Sequence, residues 1–253
     1  MKHLLTYTSV IILLITSCKS DITFTPIIIP PKGDVLITEI STAINTDPLA
    51  GGTRSHYIEL YNGTSTSVDL SNYAVGYFAV TDNTTLSNFT FATGSFITLH
   101  RTLPVNTCYV IASPQTDATL VRRDTAWGTT STLAAQASSP LQLSGNSGIA
   151  LLKKDALGTI VLAGNNYRVI DVFGSPLVPR VTSTGATSTR NNVMWTIAGE
   201  VADTRNRTFY RKSNVINPTT NWALAKGTTA DNAQWIILAD RLWNYTNVGL
   251  PTQ

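Results

Sequence analysis

Residues 35–238 carry short runs of β-branched and aromatic residues, bounded by Gly, Asn, Asp and Pro, with no sustained 3.6-residue apolar period. Runs of strand length fall at 35–40, 57–61, 73–80, 89–91, 96–99, 109–112, 149–152, 160–162, 169–173, 209–212 and 235–238. A chain punctuated this way must bury its apolar residues between sheets, which predicts an all-β sandwich or barrel. In the clearest local unit, two apolar runs flank Lys153-Lys154-Asp155-Ala156-Leu157-Gly158. That arrangement predicts a hairpin whose Gly158 supplies a positive φ. Asp231 is a candidate cap for a single helical turn reaching Trp235. The Ser/Thr/Ala-rich stretches 113–142 and 179–192 predict long connections, and neither reads as a linker between two cores.

A length of 253 residues suits one large β-domain or two small ones. Only 13% of the residues are charged, against roughly 25% in soluble proteins generally, so Ser, Thr and Asn must supply much of the polar surface. That composition is the kind found in extracellular β-structure. The net charge of +3 is too small to imply a polyanionic partner, but it is unevenly placed. Residues 34–176 hold seven Lys/Arg and ten Asp/Glu, whereas residues 177–253 hold eight and four, so the C-terminal third is the basic part.

Lys2 and His3 precede a mostly apolar stretch from Leu4 to Thr16. Its length fits the apolar part of an export signal and falls short of the roughly 20 residues that span a bilayer. The stretch closes with Ile15-Thr16-Ser17-Cys18, an aliphatic residue, two small ones and a cysteine, which resembles the bacterial lipobox. The resemblance implies cleavage before Cys18 and acylation of both its thiol and its new amine. Residues 1–17 are then a lipoprotein signal peptide, and residues 18–33 a lipid-anchored linker with Pro26, Pro30 and Pro31. Extended, polyproline-like chain over 21–32 reaches roughly 35 to 40 Å. Several acyl chains, at about 0.8 kcal/mol per buried CH₂, hold a protein on a membrane far more durably than one. Lys19 is not the Asp that retains some lipoproteins at the inner membrane, which favours the outer membrane. Asp21 faintly resembles the acidic surface-export signal of Bacteroidetes, and exposure at the surface stays open. The competing fate for Cys18 is a disulfide with Cys108, the other cysteine. With Cys18 as the anchor, Cys108 is expected to be a lone, buried, inert thiol.

Several segments, in order, resemble the lamin-tail domain, an immunoglobulin-like sandwich found in nuclear lamins and in many secreted bacterial proteins. Residues 34–40 (DVLITEI) resemble its first strand. Residues 57–75 (YIELYNGTSTSVDLSNYAV) carry the most specific match: a strand with Glu59 and Asn62, a small polar turn, then Val68-Asp69-Leu70-Ser71. Residues 97–113 and 141–158 resemble later strands, and residues 169–174 (VIDVFG) the closing one. Residues 207–215 (RTFYRKSNV), Asn221-Trp222 and residues 234–238 (QWIIL) resemble an extension that follows it in secreted members. The resemblance implies that residues 34–253 form a lamin-tail type sandwich with long loops, in which 177–253 is either a C-terminal extension or a sub-lobe. It also implies a non-catalytic binding or scaffold role. The residues agree locally: Asn62 tolerates a left-handed turn and can bond its own backbone, and Val68 and Leu70 share the face opposite Asp69.

Little of the sequence points to chemistry. Leu143-Ser144-Gly145-Asn146-Ser147-Gly148 superficially resembles a serine-protease loop, but His56 and His100 lack any matching motif, and G-x-S-x-G is absent. No zinc spacing exists, and no cofactor is implied. Asp34, Glu39 and Glu59 can approach one another if the first two strands pair, and such clusters hold Ca²⁺; the preferred reading places them on solvent faces. Four of the five Trp lie in the C-terminal third, where Trp222, Trp235 and Trp243 form either a sugar-stacking platform or a second small core. The core is the preferred reading. Arg205, Arg207, Arg211 and Lys212 surround Phe209-Tyr210, a mixture that suits nucleic acid, but a strand with outward charges explains it better. Asp124-Thr125-Ala126 resembles the O-glycan acceptor of exported Bacteroidetes proteins, implying modification at Thr125. The expected partners are thus a membrane, through the lipid anchor, and a protein or glycan.

Overall fold

The computed structural model describes residues 32–42, 47–49, 51, 55–79, 89–91, 94–128, 143, 147–175, 181–182, 193–200, 206–239 and 241–250. The expected signal peptide, Cys18 and Arg205 lie outside the described residues. In chain order the first strands are β1 (Leu36–Thr42), β2 (Tyr57–Asn62), β3 (Val68–Asp69), β4 (Tyr73–Ala79) and β5 (Phe96–Thr98). They continue as β6 (Thr102–Leu103), β7 (Thr107–Ala112), β8 (Thr125–Ala126), β9 (Ser147–Lys154) and β10 (Ile160–Leu162). The remainder are β11 (Asn165–Phe173), β12 (Val181–Thr182), β13 (Val193–Met194), β14 (Arg207–Arg211), the short helix α1 (Trp222–Lys226) and β15 (Trp235–Ile237).

Two sheets build an immunoglobulin-like β-sandwich. One is ordered β15-β14-β1-β2-β7-β8, the other β10-β11-β9-β4-β5. Their apolar residues meet in one core, with Ile37, Ile40 and Ile58 from the first sheet and Leu151, Val172 and Phe173 from the second. Full burial of each such side chain contributes roughly 1.5–3 kcal/mol. In β2 the period-two alternation sends Ile58 and Leu60 into this core and turns Tyr57 and Glu59 the other way. β1 keeps both Ile37 and Ile40 in the core through a bulge: Ile37 pairs with Leu60 and Glu39 with Glu59, leaving Thr38 as the extra residue.

The C-terminal third belongs to the same body. β14 pairs with β1, β15 pairs with β14, and Trp195, Trp222 and Trp235 pack into the main core rather than a second one. The Phe173 ring lies 5.3 Å from that of Trp222 and 5.1 Å from that of Trp235. Asn221 starts α1 by accepting the Leu224 amide on its side chain at 3.0 Å. The helical turn expected at Asp231 is absent, because Trp235 opens β15 instead, and Asn232 takes the Thr228 and Thr229 amides in a turn.

Other local expectations shift as well. β9 and β10 do not form a hairpin: β11 lies between them, paired with both. Gly158 has no positive φ. Its glycine is needed because a Cβ there would stand 2.3 Å from the Tyr167 carbonyl oxygen. Asn62 likewise keeps a negative φ, but its side chain organises the turn as expected, accepting the Thr64 amide and donating to the Thr66 and Leu103 carbonyls. After Val68–Asp69 the chain enters a single 3-10 turn, Leu70–Asn72, capped by Asp69 through the Ser71 amide. Phe89 and Phe91 form no strand, and their rings pack edge-on against Phe78. Among the described residues no helix is long and apolar enough to cross a membrane.

Candidate functional site

The outer face of the six-stranded sheet, turned away from the core, holds a close group of titratable side chains, with Glu39, Glu59, Tyr57 and Cys108 acting on one another. Glu39 and Glu59 stand opposite each other on β1 and β2, and both are fully buried. The solvent-face expectation for them is therefore overturned. Their cover is the C-terminal strap, residues 241–250, together with the turn at Leu120 and Val121. Tyr245 and Val248 of the strap pack with Tyr57, Val110, Ala112 and Val121 into a small second cluster.

Polar contacts fix the strap. The Trp243 indole N–H donates to the Thr42 carbonyl at 3.1 Å, and the Tyr210 hydroxyl to the Asn244 carbonyl at 3.1 Å. The Asn244 amide donates to Thr208 Oγ1 at 3.3 Å, and Tyr245 donates its hydroxyl to Asp47. The Gly249 amide reaches Glu59 Oε2 at 2.7 Å, while the Thr38 hydroxyl holds Oε1 at 2.7 Å. Tyr57 donates to Glu39 Oε1.

Burial pushes the Glu39 carboxyl up to about 9, and Glu59 opposite it adds to the shift against the Tyr57 bond. Burial also raises Glu59, to about 7, against the bonds from the Gly249 amide, Thr38 and Cys108. At neutral pH Glu39 thus keeps its proton while Glu59 is near its midpoint. Cys108 is a free, fully buried thiol that bonds Glu59, and burial raises it far above its ordinary range. A general acid or base must touch its substrate; these groups have no exposed surface, so the cluster is built to hold the strap.

The other candidates are also engaged by the fold. Asp34 stays apart from the two glutamates, accepting the Tyr73 hydroxyl at 2.6 Å and Lys153 Nζ at 2.7 Å. Among the described residues no three His, Cys, Asp or Glu gather as a metal-ligand set. Trp222, Trp235 and Trp243 are 1%, 1% and 4% exposed, so none offers the open ring face that stacking on a sugar requires. The outward-charge expectation for the basic segment is corrected too: Arg207 and Arg211 share the Phe209 side of β14 and are buried. Arg207 bonds Glu200 at 3.3 Å and the Leu238 carbonyl at 3.1 Å, which leaves it unsuited to phosphate. His56 accepts the Leu143 amide on Nδ1 at 2.9 Å. Thr125 is partly exposed on the edge strand β8, while Asp124 beside it is ion-paired with Arg101 and Arg122.

The pair that sequence reasoning missed is Arg211 with Asp171, joining β14 to β11 across the sandwich at 3.3 Å with side chains 1% and 0% exposed. Asp171 also accepts the Ile37 and Thr219 amides, each at 3.0 Å. Burial raises its carboxyl, and Arg211 and these amides oppose the rise. The one available signal was a charged residue inside the apolar run Val169 to Phe173. Beside it, Gly33, Asp34, Arg168, Val169, Asn217 and Thr219 line an open groove of about 440 Å³. The groove sits where the chain enters the sandwich, at Lys32, whose Nζ donates to the Ser213 and Val215 carbonyls at 2.6 Å.

No curated protein and no solved structure matches this sequence. The family model of the lamin tail domain matches residues 29–175, from the end of the expected linker to just past β11. With more than half of its length matched and the sandwich that such domains adopt, the chain belongs to the lamin tail domain family.

Proposed function

We propose that this protein is a lipid-anchored bacterial envelope component whose lamin tail domain acts as a non-catalytic binding or scaffold module. The observation that carries the non-catalytic part is the engagement of the groups chemistry would need. Asp34, Asp124 and Asp171 are in ion pairs, His56 Nδ1 takes a backbone amide, and Glu39, Glu59 and Cys108 are sealed under the strap. Among the described residues an open groove beside Lys32, whose lining includes Asp34, Arg168, Asn217 and Thr219, supports the reading of a contact surface on a domain carried on a stalk. The anchor rests on Ile15-Thr16-Ser17-Cys18 behind an export-type apolar stretch. Expression in a bacterium fed labelled palmitate tests it. The full chain incorporates label and partitions with membranes, and Cys18→Ala does neither while keeping the same circular dichroism. Label retained in Cys18→Ala overturns the anchor.

A further inference from the structure

The strap covers the outer sheet face without a strand ladder of its own; Leu242 makes a single bridge to Arg207. Its hold therefore depends on a few polar contacts and on the small apolar cluster around Tyr245 and Val248. One of those contacts, Gly249 to Glu59, ends on a carboxyl that faces Glu39 across paired strands. Neither carboxyl is in a salt bridge with a described residue. The titratable groups facing the pair are Tyr57 on β2, Tyr210 on β14 and Cys108 on β7, all protonated at neutral pH and pushed further up by burial, and Arg122 acts on Glu59 from the turn after β7. Tyr245 on the strap is itself bound to Asp47.

We propose that the strap is a releasable cover that opens when Glu39 and Glu59 both carry negative charge, baring the outer face with Tyr57, Cys108 and Val110. Two buried like charges on adjacent strands repel in a low dielectric, and water entering beneath the strap relieves them. Opening restores ordinary acidity to both carboxyls, so it is linked to proton release. While the closed pair retains one proton that the open pair has lost, the opening equilibrium rises about tenfold per pH unit. With Glu59 at about 7 and Glu39 at about 9 when closed, that window lies between those values.

Hydrogen exchange of the full chain, corrected for the intrinsic pH dependence of amide exchange, reads this directly. Protection of the Asn244 and Gly249 amides is expected to fall about tenfold per unit from pH 7 to 9 while β4 and β9 stay protected. Glu39→Gln, which limits the pair to one charge, should flatten that slope. Alkylation of Cys108 by a maleimide, followed by peptide mass, should be faster at pH 8.5 in the wild type than in the variant. Strap protection that is flat with pH in the wild type overturns the proposal, as does loss of protection in strap and core together. A slope that survives Glu39→Gln also overturns it.

Discussion

Replacing Arg211 with Met tests the assigned role of the buried bridge between the two sheets. Arg211 bonds Asp171 at 3.3 and 3.4 Å, bonds Gln234 Oε1 at 2.7 Å and lies 4.8 Å from the centroid of the Trp235 ring. Met fills much of the same volume, so packing survives while Asp171 is left charged, fully buried and held only by amides. Breaking one side of such a pair costs about 3–5 kcal/mol, a large part of the roughly 5–15 kcal/mol that holds a domain folded. Urea unfolding followed by Trp fluorescence should show a loss of about 4 kcal/mol near pH 7. Asp171→Asn in the Arg211→Met background removes the stranded charge and should recover about half of the loss. The sign of the pH dependence follows from the raised carboxyl. Without Arg211 its folded-state value moves further above the unfolded one, so across the range from neutral to acid pH the deficit shrinks as pH falls. A deficit below about 1 kcal/mol, or one equal at both ends of that range, would refute the reasoning.

Stability of the wild type should fall by a few kcal/mol between about pH 5 and pH 9, because Glu39 and Glu59 hold protons in the folded state that the unfolded chain has already lost. Thermal melts across that range check it, with Glu39→Gln expected to lose most of the slope. Gly174→Ala places a side chain at a φ of 86° and its Cβ 2.8 Å from the Trp195 ring, and should lower stability by about 2–4 kcal/mol in urea titration. Deleting residues 206–253 leaves the β1 edge unpaired and Asp171 without Arg211, and the shortened chain is expected to aggregate on gel filtration. A soluble monomer with the wild-type circular dichroism would contradict that.

Strand identity was readable because β2 and β7 are dense in Ile, Leu, Val and Tyr, which the fold buries on both faces, and the lamin-tail segments lie in order along these strands. Pairing was less readable. The run from Ile149 to Leu162 has the composition of a hairpin, yet β11 inserts between its halves, and nothing local signals that insertion. Alternation also misassigned Glu39 and Glu59, since a polar face reads as solvent-facing unless the cover is known. That cover comes from about 190 residues further along the chain, as the Gly249 to Glu59 bond shows. Arg211 failed for the same reason, since its partner Asp171 sits on a strand 40 residues earlier, whereas Arg207 pairs with Glu200 only seven residues before it.

The central claim, an anchored lamin tail module, is tested most directly by the mass of the N-terminal peptide of the protein recovered from bacterial membranes. The account predicts a mature chain beginning at Cys18 and carrying diacylglyceryl and amide-linked acyl groups. A chain that begins elsewhere, or one whose Cys18 is an unmodified thiol, would contradict it.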